Sequence, residues 1–183
     1  MNVNTKFTAP GPVAPVVIEQ VFAEKPGGGL VANPAFEVKQ GTAVYQEGNK
    51  FKPIKAYRLV EAVGAEDTSI KIAKGSGYVA GDIIATGKKG VAGGSVNTTN
   101  TDYDVVTVTL GVAVANDTVL YQAKAASASA AAPIGTPIYV VGNDVPANEG
   151  DQPVRLINGA NLRKETAPIA AEVAAMIPTI NLV

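Results

Sequence analysis

From residue 37 onward, apolar residues fall in short runs, many of them alternating with polar ones. The runs are TAVYQ (42–46), FKPIKAYRLVEAV (51–63), TSIKIAK (68–74), DIIAT (82–86), DVVTVTLGVAV (104–114), DTVLYQ (117–122), TPIYVV (136–141) and PVRLIN (153–158). A period of two places successive side chains on opposite faces of a strand. Between the runs lie EGN, GAED, GSG, TGKKG, NTTNTD, AND and VGND, which are turn chemistry. Many strands joined by short turns, with no ten-residue helical period between them, predict a mainly β domain built as a barrel or sandwich.

Three segments break the pattern. Residues 1–36 hold Pro10, Pro12, Pro15, Pro26 and Pro34 and a triple glycine at 27–29. Proline removes an amide donor and fixes φ, so an extended N-terminal arm with little helix or central strand is expected here. At about 3 Å per residue such an arm reaches most of the way across a neighbouring subunit. Its adhesive part is VVIEQVF, with Val16, Val17, Ile18, Val21 and Phe22. Two placements are open: folding back on its own domain, or docking on a partner. The stretch AKAASASAAAP (123–133) is rich in alanine but has almost no amphipathic face, and reads as a flexible crossover that turns helical when packed. TAPIAAEVAAMIP (166–178) predicts a helix capped by Thr166, with Pro168 in its first turn, stopped by Pro178, and with Ile169, Val173, Met176 and Ile177 on one face. The expected organisation is an arm at 1–36, a β domain at 37–158 and a C-terminal helix and tail at 159–183.

One phrase occurs twice, as GTAVYQEGN at 41–49 and GTPIYVVGN at 135–143. Glycine opens a strand, a β-former and tyrosine follow, and Gly-Asn supplies a turn that accepts positive φ. Both copies predict hairpins. Internal duplication and two hairpins under the same steric rules explain the repetition equally well.

Composition narrows the chemistry. Fifteen Lys and Arg against sixteen Asp and Glu leave a net charge of -1, which argues against nucleic acid, where affinity comes from neutralising many phosphates. There is no cysteine, hence no thiolate nucleophile or thiolate metal site, and no histidine, the commonest general base and transition-metal ligand. No enzyme activity and no cofactor are expected. Aromatics are 5% and tryptophan is absent, so a sugar-binding or base-stacking platform has few rings to use. The early apolar cluster is broken by prolines, unlike a signal peptide, and no run approaches the ~20 apolar residues of a membrane span.

Several motifs weaken on inspection. GSGYVAG (75–81) lacks the helix that must follow a dinucleotide loop, and GKKGVAGG (87–94) lacks the Walker spacing. Asp102 and Asp104 with Asn97 and Asn100 offer oxygens to calcium, but without the EF-hand pattern, and no metal is expected. Lys71 or Lys74 beside Ser69 or Ser76 has no nucleophile-elbow context. The sequons at Asn97 and Asn116 carry little weight without an export signal. What remains is VRLINGANLRKETAP (154–168), where Arg155 and Arg163, two of only three arginines, lie with Asn158, Asn161 and Glu165. Such side chains make multi-point hydrogen bonds at interfaces, and equally tie a connector to its own domain.

GTAVYQEGNKFKPIKAYRLVEAV (41–63), KIAKGSGYVAGDIIATG (71–87) and TVTLGVAV (107–114) resemble the head-decoration and auxiliary capsid proteins of tailed bacteriophages. LINGANLRKETAPIAAEVAAMIPTINLV (156–183) resembles the tail of phage head-fibre and auxiliary capsid proteins, including those of crAss-like phages of gut Bacteroidales. The likeness covers roughly residues 37–183 and rests on scaffold phrases. It implies a β-tulip domain and a virion structural protein made in the host cytoplasm. It also implies a homo-trimer on the capsid exterior, in contact with the major capsid protein and with other head or fibre proteins. The alternative is a cell-surface or carbohydrate-binding adhesion module. Val16, Val17, Ile18, Val21, Phe22, Arg155, Asn158, Asn161, Arg163 and Glu165 are the expected interface residues.

Overall fold

Residues near the two ends of the chain meet in one sheet. The computed structural model describes residues 15–183. In order, its strands are β1 (Ile18–Glu24), β2 (Gly29–Val31), β3 (Ala43–Glu47), β4 (Lys50–Pro53), β5 (Ala56–Arg58), β6 (Ser69–Ala73), β7 (Ile83–Ala85) and β8 (Gly90–Ala92). There follow β9 (Val96–Asn97), β10 (Tyr103–Thr107), β11 (Val119–Ala123), β12 (Tyr139–Val141), β13 (Gln152–Val154) and β14 (Leu156–Leu162). A one-turn helix, α1 (Ala171–Ala174), precedes β15 (Ile180–Leu182). The main sheet runs β1-β14-β12-β3-β4-β2-β13, with β15 parallel to the far half of β14, and curls as a half-barrel. The strands β5 to β11 are interposed between β4 and β12 and form two smaller sheets, β6-β10-β9 and β5-β11-β7-β8. The fold is mainly β, as the alternation predicts.

The middle strands of the main sheet, β14, β12 and β3, pack against cores on both faces, and the pleat sorts their side chains. Ala43, Val140 and Ile157 point into a core shared with α1 and the β7–β11 pair, while Val44, Val141 and Leu156 point into a second core with Val31, Phe51 and Val154. A third core, with Tyr57, Leu59, Ile70, Ile72, Ile84, Val106 and Leu120, fills the space between the two smaller sheets. Fully burying one such side chain contributes about 1.5–3 kcal/mol.

The repeated phrases pair with each other. Tyr139 lies opposite Val44 and Val140 opposite Ala43, so β3 and β12 stand side by side where the chain enters and leaves the interposed strands. Only the first copy is a hairpin. Gly48, at φ +63, and Asn49 close β3 onto β4 with Glu47 opposite Lys50, as a two-residue turn with glycine first requires. The second expected hairpin does not form. Gly142 continues the pairing, with its amide on the Arg155 carbonyl, and Asn143 Oδ1 accepts from the Arg155 amide.

Other expectations are corrected. Residues 15–36 of the expected arm hold two strands, and β2 is an interior one, between β4 and β13. The triple glycine lets it pass there: a Cβ on Gly28 would lie 2.2 Å from the Val154 carbonyl oxygen, and one on Gly29 2.7 Å from the Phe51 ring. Residues 1–14, with Pro10 and Pro12, lie outside the described residues. Neither boundary, 36/37 or 158/159, separates layers, since β1 and β2 share a sheet with β14, which itself runs across 158. The alanine-rich crossover is not helical. Ser127 exchanges both main-chain hydrogen bonds with Gly90, Ala123 bridges to Pro133, and Ala131 is buried.

The expected C-terminal helix shrinks to one turn. Pro168 disfavours helical backbone at Ala167, so the start moves past it to Ala170, which has φ -72 and ψ 145 and no side-chain cap. Thr166 does not cap the helix. Its hydroxyl donates to the Val16 carbonyl at 2.5 Å. Ile169, Val173 and Ile177 are buried against this chain's own sheets, whereas Met176 is 46% exposed, because Met176 and Ile177 close with i to i+3 bonds that turn it off that face.

Candidate functional site

The two groups of interface residues expected from sequence come together as one ribbon. β1 lies antiparallel along β14, with Ile18 opposite Leu162, Gln20 opposite Asn161, Val21 opposite Ala160, Ala23 opposite Gly159 and Glu24 opposite Ile157. The register shifts three times, which bends and twists the strand. Gly159 is where the chains press closest, since a Cβ there would stand 3.1 Å from that of Ala23. β1 ends the sheet order, so among the described residues its outer edge has no strand partner.

Val17 and Ile18 are half-buried against the core, while Val16, Val21 and Phe22 are exposed, Phe22 to 54%. Arg163 reaches Glu19 at 2.8 Å and Arg155 reaches Glu24 at 2.7 Å, so the two arginines clamp β1 near its ends. Each pair is about half exposed and contributes only about 0.2–1 kcal/mol. Asn158 and Asn161 face β15 and its approach: the Thr179 hydroxyl donates to the Asn158 carbonyl, and Asn181 Nδ2 donates to Asn161 Oδ1 at 3.2 Å. Asn158 Oδ1 is buried without a hydrogen-bond partner. Glu165 is the exception, exposed in the connector toward α1 and off the ribbon.

Two polar centres were not legible in the sequence. The third arginine, Arg58 on β5, donates to the Ala167 carbonyl at 2.8 Å and the Asp117 carbonyl at 3.1 Å, joining the interposed strands to the C-terminal connector. Burial lowers its pKa from the ordinary arginine value. Asp82, just before β7, gathers Lys55 Nζ at 2.7 Å, the Tyr57 hydroxyl at 3.0 Å, Gln122 Nε2 at 3.0 Å and the Val79 amide at 3.0 Å. The side chains of Lys55 and Asp82 are 15% and 12% exposed. A carboxylate saturated in this way ties β5 and β11 to the turn that leads into β7.

The remaining sequence motifs disperse. Asp104 pairs with Lys74, and Asn97 and Asn100 accept bonds from their own loop, so the candidate calcium oxygens do not converge. Lys71 pairs with Glu61 at 2.8 Å. Gly75 and Gly77 adopt positive φ in the turn before β7, and no helix follows.

Tyr57 carries a pH prediction. Burial, and then the Asp82 charge, push its phenol far above the ordinary value of 10.0. Above pH about 10 an unfolded chain releases this proton and the folded one keeps it, so the stabilisation is whole below that pH and falls as pH rises past it. Unfolding midpoints measured across the alkaline range should decline for the parent and decline less steeply for Tyr57→Phe. Equal slopes would remove Tyr57 from the account.

The chain matches no protein-family model, no curated protein and no solved structure.

Proposed function

We propose that this chain is a structural protein of a tailed-bacteriophage head that sits on the outside of the capsid and acts by adhesion. The observation that carries the reading is the β1 edge. A seven-residue strand is held by β14 on one side, has no strand partner on its other edge among the described residues, and displays Val21 and Phe22, with Val16 exposed just before it. Such an edge recruits an extended segment of another protein through main-chain hydrogen bonds, while exposed apolar side chains set the fit. The phage assignment comes from the resemblance of residues 41–63, 71–87, 107–114 and 156–183 to auxiliary capsid proteins. Its partner is the major capsid protein, and a homo-trimer multiplies modest contacts by avidity.

Phe22→Asp combined with Val21→Lys should lower co-sedimentation with purified phage heads by about tenfold or more. Its unfolding midpoint should stay near that of the parent, because both side chains are exposed. Undiminished binding by the variant, or no binding by the parent, removes the proposal.

A further inference from the structure

A cleft of about 340 Å³ lies between the 32–36 segment, the β3–β4 hairpin and the turn at 77–79. The chain has only six tyrosines and four phenylalanines, yet Phe36, Tyr45 and Tyr78 all line this cleft, each half-buried. Rings that are scarce along the chain are concentrated here by the fold. All three are held in place. A Cβ on Gly77 would lie 2.3 Å from the Phe36 ring and one on Gly135 2.3 Å from the Tyr45 ring, so glycine backbone abuts both. Tyr78 meets Tyr57 edge-on and donates its hydroxyl to the Gly94 carbonyl at 2.7 Å.

The polar groups beside these rings are donors whose charge is already compensated. Lys52 Nζ is paired with Glu47 and Lys55 Nζ with Asp82, and neither acid lines the cleft. An ammonium has three N–H donors, so each lysine keeps some beyond its ion pair. Lys55 Nζ stands 6.0 Å from the centre of the Phe36 ring. Asn33 Oδ1 accepts from the Gly150 amide, and among the described residues neither the Asn33 amide nitrogen nor the Tyr45 hydroxyl makes a hydrogen bond. No Asp or Glu among the described residues lines the cleft. The matching ligand is therefore uncharged, flat and apolar on its faces, and rich in oxygen acceptors around its rim. Compensated cations give an anion little, and a cation finds no carboxylate.

We propose that this cleft binds a neutral pyranose, as one or two units of a glycan. The C–H faces of the sugar stack on the aromatic rings, and each rim hydroxyl accepts from an N–H or O–H while its own proton turns to water. The volume lies at the small end of the range for small-molecule sites, about 300–1,000 Å³, and suits a short ligand. Two rivals fit less well. A nucleobase edge mixes donors with acceptors and would set N–H against N–H. A polyproline stretch has acceptors alone, but at three residues per turn its carbonyls fan out and only about one in three meets these donors. The site uses β3, β4 and the turn before β7, apart from the β1 edge, so it goes beyond capsid adhesion and does not depend on it.

The test titrates methyl α-glucopyranoside, methyl β-galactopyranoside, N-acetylglucosamine and maltose into the isotope-labelled whole chain and follows amide shifts by NMR. At least one of the four is expected to bind saturably with a millimolar Kd, shifting amides at 32–36, 45, 52–55 and 77–79. Tyr45→Phe combined with Lys52→Met removes two rim donors and keeps the ring and the aliphatic stem. The double variant should bind that sugar about tenfold more weakly, with an unfolding midpoint near the parent's. Glucuronate and a tetraproline peptide should both bind more weakly than the neutral sugar. No binding by any of the four sugars, shifts that map elsewhere, unchanged affinity in the double variant, or tighter binding of glucuronate or tetraproline would each overturn the proposal. The Phe22→Asp and Val21→Lys variant should keep full sugar affinity, so the two readings fail separately.

Discussion

A chain lacking residues 1–36 should show no cooperative unfolding transition, although the composition of that segment marks it as a removable arm. The deletion takes β2 from between β4 and β13 and removes Val31, which is fully buried. It also removes the half-buried Val17, Ile18 and Phe36, which pack on two of the cores. At about 1.5–3 kcal/mol for each complete burial, and less for the partial ones, the loss is about 5 kcal/mol or more. Total stabilities of domains are only about 5–15 kcal/mol. Urea titration followed by circular dichroism should therefore give a sloping baseline for the deletion and a sigmoid for the parent. A parent-like midpoint would show that β2 contributes almost nothing. Capsid binding lost through this deletion would say nothing about where binding resides, which is why the Phe22 and Val21 substitutions are the cleaner probe.

Asp82→Ala should destabilise the protein by about 3–5 kcal/mol, the range for removing one partner of a buried ion pair. The loss exceeds a surface pair because three other donors, from Tyr57, Gln122 and Val79, lose their acceptor together with Lys55. Asp82→Asn keeps an acceptor oxygen and should cost less. Pairing Asp82→Ala with Lys55→Met provides the decisive comparison. Once the lysine charge is gone, part of the penalty for the missing carboxylate goes with it, and a denaturation cycle should report coupling of about 1 kcal/mol or more. Strict additivity of the two substitutions would mean that the ion pair is solvated.

Most strands between residues 42 and 141 were readable because their evidence is local, namely alternation, a glycine-bearing turn, then alternation again; the short β8 and β9 fell in segments read as loop and turn. β1 and β2 were not readable, because what makes them strands lies far along the chain. Val21 finds Ala160, and Leu30 finds Pro153. Proline and glycine in that region argued for a loose arm, yet at Gly28 a Cβ would collide with the Val154 backbone and at Gly29 with the Leu156 and Phe51 side chains. The helix was overestimated for a local reason that a stricter reading would have caught, since Pro168 disfavours helical backbone at Ala167, the first residue after the expected Thr166 cap.

The residues expected at an interface stood out by type, apolar in one segment and arginine with asparagine in the other, but their contacts within the chain did not. Arg155 and Arg163 direct their guanidinium groups at Glu24 and Glu19 of the same ribbon. The Asp82 centre was hidden more deeply. Its donors come from positions 55, 57, 79 and 122, and a lone aspartate after glycine looks like any turn residue.

Ile18 is 144 positions ahead of Leu162, the residue it faces. A ribosome adding about 5–20 residues per second leaves the nascent β1 without its mate for on the order of ten seconds. During synthesis its Ile18, Val21 and Phe22 are thus open to any passing strand, including the same segment on a neighbouring polysome chain. Yield in a heterologous host should accordingly depend on translation speed and on chaperone supply more than on the stability of the finished molecule.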